Sequence, residues 1–181
     1  MKAFIEKNIL DREYFDFVQD YFKSHSFLDS EKHDFYGSKR IDSFEDPVLK
    51  EILLKLHEPA KKWFNSETLV PTYAVFSEYS GKQAMLNKHL DSGPCTYTID
   101  LGLYHNTPWP LIVEDEQHTF LENEAVLFYA NHQYHWKPEF PDADNNRVGI
   151  ALIHYVEPDH PWLKLSEEFQ KALRKKMKTL S

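Results

Sequence analysis

The sharpest chemical pattern in the 181 residues is His89-Leu90-Asp91. On a strand, residues two apart point to the same face, so this imidazole and this carboxylate could reach one metal ion. Alone the triplet decides nothing, because ten His and 13 Asp in a chain of this length give about 0.7 such triplets by chance. His135 follows 44 residues after Asp91, and Arg147 twelve residues after His135. Between them Pro138 to Asn146 is rich in Pro, Asp and Asn, as a loop is. His135 is therefore expected to end one strand and Arg147 to begin the next, near one rim. In that last strand Arg147, Gly149, Ala151 and Ile153 share a face. An arginine above two very small residues leaves room for a small dianion and offers its carboxylate a bidentate grip.

The elements that must position these residues change character along the chain. Tyr14, Phe15, Val18, Tyr21 and Phe22 recur at steps of one, three and four, predicting an amphipathic helix over Asp11 to Ser24. Loop-like sequence follows to about Glu45, and this long irregular segment is a candidate lid. Asp46-Pro47 reads as an N-cap followed by proline at the first helical position. Leu49, Ile52, Leu53 and Leu56 form the buried stripe of that helix, and Pro59 is expected to kink or interrupt it before Trp63 and Phe64. From Val70 the period falls to two. Val70 to Tyr79, Cys95 to Tyr104, Trp109 to Val113, Ala125 to Ala130 and Arg147 to Val156 all read as strands, with His118 to Leu121 as a possible short one. From about Pro161, Trp162, Leu165, Phe169, Leu173 and Met177 predict a last helix. The expectation is one α+β domain: supporting helices and loop over about 1–68, an antiparallel β core over about 70–156, and a C-terminal helix over about 161–179.

Composition narrows the function classes. Twenty-one Lys and Arg against 29 Asp and Glu leave a net charge of −8, which gives no general attraction for nucleic acid or anionic lipid. Cys95 is the only cysteine, so there is no disulfide framework and no cysteine-based zinc site. No apolar run is long enough for a signal peptide or a membrane span, and a cytoplasmic protein is expected. Five glycines include no phosphate-binding loop and no Gly-x-Ser-x-Gly elbow. His57-Glu58 lacks the helical histidine partner of a zinc peptidase.

The order His-x-Asp, distal His, then a basic residue on the following strand resembles that of the iron(II)- and 2-oxoglutarate-dependent oxygenases, most closely the branch that includes prolyl hydroxylases. Phe128 to Trp136 is similar to that family's distal-His strand, Ile153-His154-Tyr155-Val156 to the strand that ends it, and Ser77-Glu78-Tyr79-Ser80-Gly81 to the stretch preceding His-x-Asp. The resemblance covers roughly Val70 to Val156. It implies a double-stranded β-helix (jelly-roll, cupin-like) core with His89, Asp91 and His135 as iron(II) ligands. Two histidines and one carboxylate leave three metal positions open. By the same resemblance 2-oxoglutarate takes two of them and O2 the third, while Arg147 and Tyr79 hold the cosubstrate. The implied reaction hydroxylates an unactivated C–H bond of a small molecule, amino acid or peptidyl residue and releases succinate and CO2. The carboxylate of Asp91, which the related halogenases lack, favours hydroxylation.

His132 rivals His135 as distal ligand, since three residues apart on a regular strand only one can face the metal. The resemblance and the nearby loop favour His135. His105, His118, His154 and His160 are expected at the surface or as hydrogen-bonded core residues, and Cys95 as a buried, inert thiol. Either the Thr98–Asp100 face or the Tyr97–Leu101 face could touch the cosubstrate. Trp109 and Trp136 could wall the pocket. Two other classes use the same residues: a non-catalytic, cupin-like metal-binding domain and a zinc-dependent hydrolase. Retention of all four expected positions argues against the first, and a dicarboxylate clamp at Arg147, which a hydrolase does not need, separates the oxygenase from the second. Oligomeric state is not legible in the sequence.

Overall fold

The structure, a computed structural model, describes residues 2–24, 31–33, 40–44, 46–80, 84–105, 107–140 and 147–165. Its helices form where apolar periodicity and capping agree. α1 (Arg12–Ser24) buries Phe15, Val18 and Phe22. α2 (Pro47–Lys55) starts at Asp46, whose carboxylate accepts the Val48 and Leu49 amides and also a hydrogen bond from the Tyr21 hydroxyl. The helix stops at Leu56, and α3 (His57–Phe64) starts anew with Pro59 in its first turn, where a missing N–H costs nothing. Asn65 ends α3 in the left-handed conformation, with φ 52°.

The strands are β1 (Phe4–Lys7), β2 (Glu31–His33), β3 (Arg40–Phe44), β4 (Val70–Ser80), β5 (Leu86–His89), β6 (Tyr97–His105), β7 (Leu111–Val113), β8 (Glu116–His118), β9 (Glu124–Tyr129), β10 (His135–Lys137) and β11 (Arg147–Val156). They pair antiparallel into a larger sheet ordered β1-β9-β6-β11-β4-β3-β2 and a smaller one ordered β5-β10-β7-β8. A 3-10 turn at Pro161–Lys164 follows β11, and the rest of the expected C-terminal helix lies outside the described residues.

At its centre, along β11, the larger sheet is buried on both faces. On one side Ala151, Ile153 and Tyr155 of β11 meet the helices at Phe15, Phe22, Ile52 and Phe64. On the other, Val148 and Ile150 of the same strand face the smaller sheet with Tyr79, Trp109, Phe120, Val126 and Phe128. The order is thus helices, larger sheet, interior, smaller sheet, which is the layered form of a double-stranded β-helix.

The structure corrects three expectations. The segment from Ser24 to Glu45 is not irregular throughout, because β2 and β3 within it extend the larger sheet beyond β4, while the remaining residues lie outside those described. The distal-His segment is not one strand: β9 ends at Tyr129, a turn in which His132 N–H and Gln133 N–H both donate to Tyr129 O follows, and His135 opens a separate strand. Asp91 likewise sits just beyond the end of β5 rather than on it.

Candidate metal centre

β5 and β10 are neighbours in the smaller sheet, and their register sets His89 opposite His135. The two rings lie 4.2 Å apart between centroids. Asp91 is fixed past the strand end by its backbone N–H, which donates to Ala130 O at 2.9 Å. Its carboxylate turns back between the histidines, with Oδ1 3.2 Å from His89 Nε2 and 3.6 Å from His135 Nε2. One ligand atom from each of the three residues lies within 4.8 Å of the others. His132 is exposed in the turn and does not join them.

Each histidine is oriented by its own backbone neighbourhood. His89 Nδ1 lies 2.7 Å from Asn87 O, and His135 Nδ1 lies 3.0 Å from Gln133 O. A carbonyl only accepts, so each Nδ1 carries a proton and donates, which leaves each Nε2 to face Asp91: as a proton donor to its carboxylate, or through its lone pair to a metal ion once one is bound. Desolvation alone would raise the Asp91 carboxyl, but contacts with His135 and His89 outweigh it and hold the group well below the usual carboxylate range. Burial would lower the His135 imidazole, but Asp91 outweighs it and raises the group, so a metal ion would bind here by displacing a proton. Two imidazole nitrogens and one carboxylate converging on a point suit a divalent metal with open positions, so the donor set fits iron(II).

Arg147 is elsewhere. β11 alternates regularly, so Arg147 shares the helix-facing side with Ala151, Ile153 and Tyr155. Its guanidinium donates to Glu78 Oε2 from Nε at 3.0 Å and from Nη2 at 2.6 Å, and its side chain is 48% exposed. The Tyr104 hydroxyl donates to the same oxygen at 2.5 Å. The expectation that Arg147 joins the metal ligands around a dianion is therefore corrected. The room over the small residues of β11 belongs to Tyr104: a Cβ added to Gly149 would lie 2.4 Å from Tyr104 Cζ. A bulge in β6 opposite Gly149 and Ile150 inserts Leu103 as an extra residue. That turns Tyr104 toward the helices and His105 inward.

The interior holds a different cation, one that sequence reasoning missed. Lys137 is two residues after His135 on β10, so both side chains point inward, about 7 Å apart along the strand. Lys137 is 2% exposed, and among the described residues Nζ has no hydrogen-bond partner. The ammonium lies 4.5 Å from the Trp109 ring centroid and 5.2 Å from that of Phe120. Burial pushes its pKa down to about 8, partly offset by Asp100, which leaves it cationic at neutral pH. His105 packs on Phe120 nearby, and among the described residues neither of its ring nitrogens has a hydrogen-bond partner. Burial first, then the Lys137 charge, pushes that imidazole down to about 4, so it is neutral. Buried polar groups are nearly always satisfied, so a buried ammonium and a buried imidazole without partners among the described residues call for a ligand to satisfy them.

Tyr79 points into the same interior, 2% exposed, its ring edge-on to Trp109 at 4.9 Å. The Thr98–Asp100 face is the inward one, and Thr98 Oγ1 lies 3.0 Å from His154 Nδ1. Trp109 walls the interior, whereas Trp136 faces outward under Lys88. Cys95 is buried beside the Ser92 carbonyl, and burial pushes its thiol well up, making it a poor nucleophile. His160 caps the 3-10 turn by accepting the Trp162 amide.

No protein-family model and no curated protein sequence matches the chain. Solved structures do match. A collagen prolyl hydroxylase from Paramecium bursaria Chlorella virus-1, solved with 2-oxoglutarate, superposes with a TM-score of 0.61 at 12% identity, covering 86% of this chain and 95% of that one. A prolyl-4-hydroxylase from Pseudomonas putida gives 0.62 at 11% identity, over 84% and 91% of the two chains. A prolyl hydroxylase from Trichoplax adhaerens, solved with a hypoxia inducible factor peptide, gives 0.61 at 15% identity, over 91% and 87%. The chain has the fold of the 2-oxoglutarate and iron(II) oxygenases, a double-stranded β-helix with supporting helices.

Proposed function

We propose that the protein is an iron(II)- and 2-oxoglutarate-dependent dioxygenase that hydroxylates an unactivated C–H bond of a small molecule, amino acid or peptidyl residue. The observation that carries this reading is a buried ammonium, without a hydrogen-bond partner among the described residues, one strand-repeat behind a His-Asp-His donor set. Bound iron(II) supplies the redox chemistry in which 2-oxoglutarate and O2 become succinate, CO2 and a hydroxyl group on the substrate. His89, Asp91 and His135 would hold the metal from one side.

The chain's own residues account for the rest. Lys137 would take the remote carboxylate of 2-oxoglutarate in place of Arg147, forming a charge-assisted pair in a site screened from water by Trp109 and Phe120. His105 can donate an N–H to the same carboxylate, and Tyr79 is placed at the same aromatic wall. Gln133 O and Asn87 O fix the histidine tautomers. A zinc hydrolase would use the same three donors, but its chemistry does not need a buried ammonium and imidazole behind the metal. Among the described residues no helix is long and apolar enough to cross a membrane. A cytoplasmic location belongs to this proposal and is supported by a lone, free cysteine, which needs no oxidising compartment.

The test is succinate release from 2-oxoglutarate. Release that requires both iron(II) and O2 and accelerates with a C–H substrate is the expected result. Metal-dependent hydrolysis without 2-oxoglutarate consumption would overturn the proposal.

A further inference from the structure

A second concave site lies on the other face of the larger sheet. It is an open cleft of about 690 Å³ lined by Phe4, Trp63, Phe64, Tyr97 and Tyr129, with Glu157, just past β11, and its hydroxyl partners at the polar side. Its rings are mutually braced. Phe64 and Tyr97 meet at 5.2 Å and 69°, Tyr97 and Tyr129 at 5.1 Å and 83°. The carboxylate of Glu157 is held in place by three hydroxyl donors, Tyr97 at 2.6 Å and Ser66 at 2.8 Å on Oε1 and Thr68 at 2.7 Å on Oε2. Burial would raise this carboxyl, but the hydroxyls outweigh it and hold it below the ordinary glutamate range. Among the described residues no lysine or arginine forms an ion pair with it.

A fixed anion walled by aromatic rings is a chemical signature. The faces of Trp, Tyr and Phe rings carry negative charge density, so they add to the field of the carboxylate instead of opposing it. A bare metal ion would need more oxygen ligands than Glu157 and its hydroxyls offer. An alkylated ammonium needs none: its charge is spread over methyl groups that pack on ring faces. We propose that this cavity is a binding site for a substituted ammonium group, with Glu157 as counter-ion and Trp63, Phe64, Tyr97 and Tyr129 as the aromatic enclosure.

The site is separate from the metal centre. β9 turns Phe128 inward, 4.9 Å from the His135 ring, and Tyr129 outward into the cavity. A ligand held here is therefore not at the position where oxidation would occur, and the inference does not depend on the oxygenase reading.

The protein is titrated with choline, with a short peptide carrying trimethyllysine, and with 3,3-dimethylbutanol, the neutral isostere of choline, while calorimetry and the part of the tryptophan fluorescence change that Trp63→Leu removes are followed. The cations are expected to bind at least tenfold more tightly than the isostere. Preference for choline would identify a free small molecule, and preference for the peptide a side chain. Glu157→Gln keeps a carbonyl oxygen to accept from Tyr97 and Ser66, lets Thr68 accept from the new amide, and removes the charge. It should weaken cation binding tenfold or more in a protein that remains folded. Should that variant unfold, Trp63→Leu provides the second reading, with the same loss expected. Equal binding of cation and isostere, no binding at 50 mM, or full affinity in a folded Glu157→Gln protein would each overturn the proposal.

Discussion

Replacing Lys137 with methionine is expected to weaken 2-oxoglutarate binding by about 30-fold or more while leaving metal affinity within a few-fold of the wild type. Truncating one partner of a buried, hydrogen-bonded charge pair costs about 2–5 kcal/mol, and every 1.4 kcal/mol is tenfold. Methionine keeps the length of the stem against Trp109 and Phe120, so the change isolates the charge. The paired variant is Arg147→Met. Its guanidinium is half exposed and already engaged by Glu78, so its loss should leave 2-oxoglutarate affinity within about twofold, while depriving the buried Glu78 carboxylate of its charged partner should cost about 1–3 kcal/mol of stability. Calorimetric titration of both variants in the presence of metal decides the matter. A cosubstrate defect in Arg147→Met with normal binding in Lys137→Met would reverse the assignment.

Asp91→Ala should abolish stoichiometric iron(II) binding. Losing a mere partner of a metal ligand typically costs 10–100-fold in metal affinity. Removing the only carboxylate, which touches both imidazoles, should cost more than about 100-fold. His135→Ala should behave alike, whereas His132→Ala should retain metal, because His132 lies exposed in the turn after β9. Metal content after anaerobic loading and desalting is the measurement. Retention of metal by Asp91→Ala, or its loss from His132→Ala, would contradict the site.

How much of this was legible in the sequence depends on whether a pattern was local. The cap at Asp46, the helix of Phe15, Val18 and Phe22, and the full span of Arg147 to Val156 all follow from spacing within one element. The short strands β5 and β10 do not, because three or four residues carry too little periodicity, and their pairing is set by the partner strand. The face of Arg147 was the costliest misreading. β11 is buried on both sides, so hydrophobic alternation, which normally tells core from solvent, cannot tell which side faces the metal. Gly149 and Ala151 then looked like space for a ligand, when the space over Gly149 is taken by Tyr104 through a bulge that no local pattern announces. Lys137 did leave a signal. A lysine two residues after a candidate ligand must share its face on a strand, and His135-Trp136-Lys137 shows that spacing.

The most direct test of the central claim is an anaerobic titration of the iron(II)-loaded protein with 2-oxoglutarate, followed in the visible range. The account predicts a charge-transfer band that saturates at one equivalent, is absent from Asp91→Ala and appears only at much higher 2-oxoglutarate in Lys137→Met. Metal bound in a folded protein with no such band at saturating 2-oxoglutarate would contradict it.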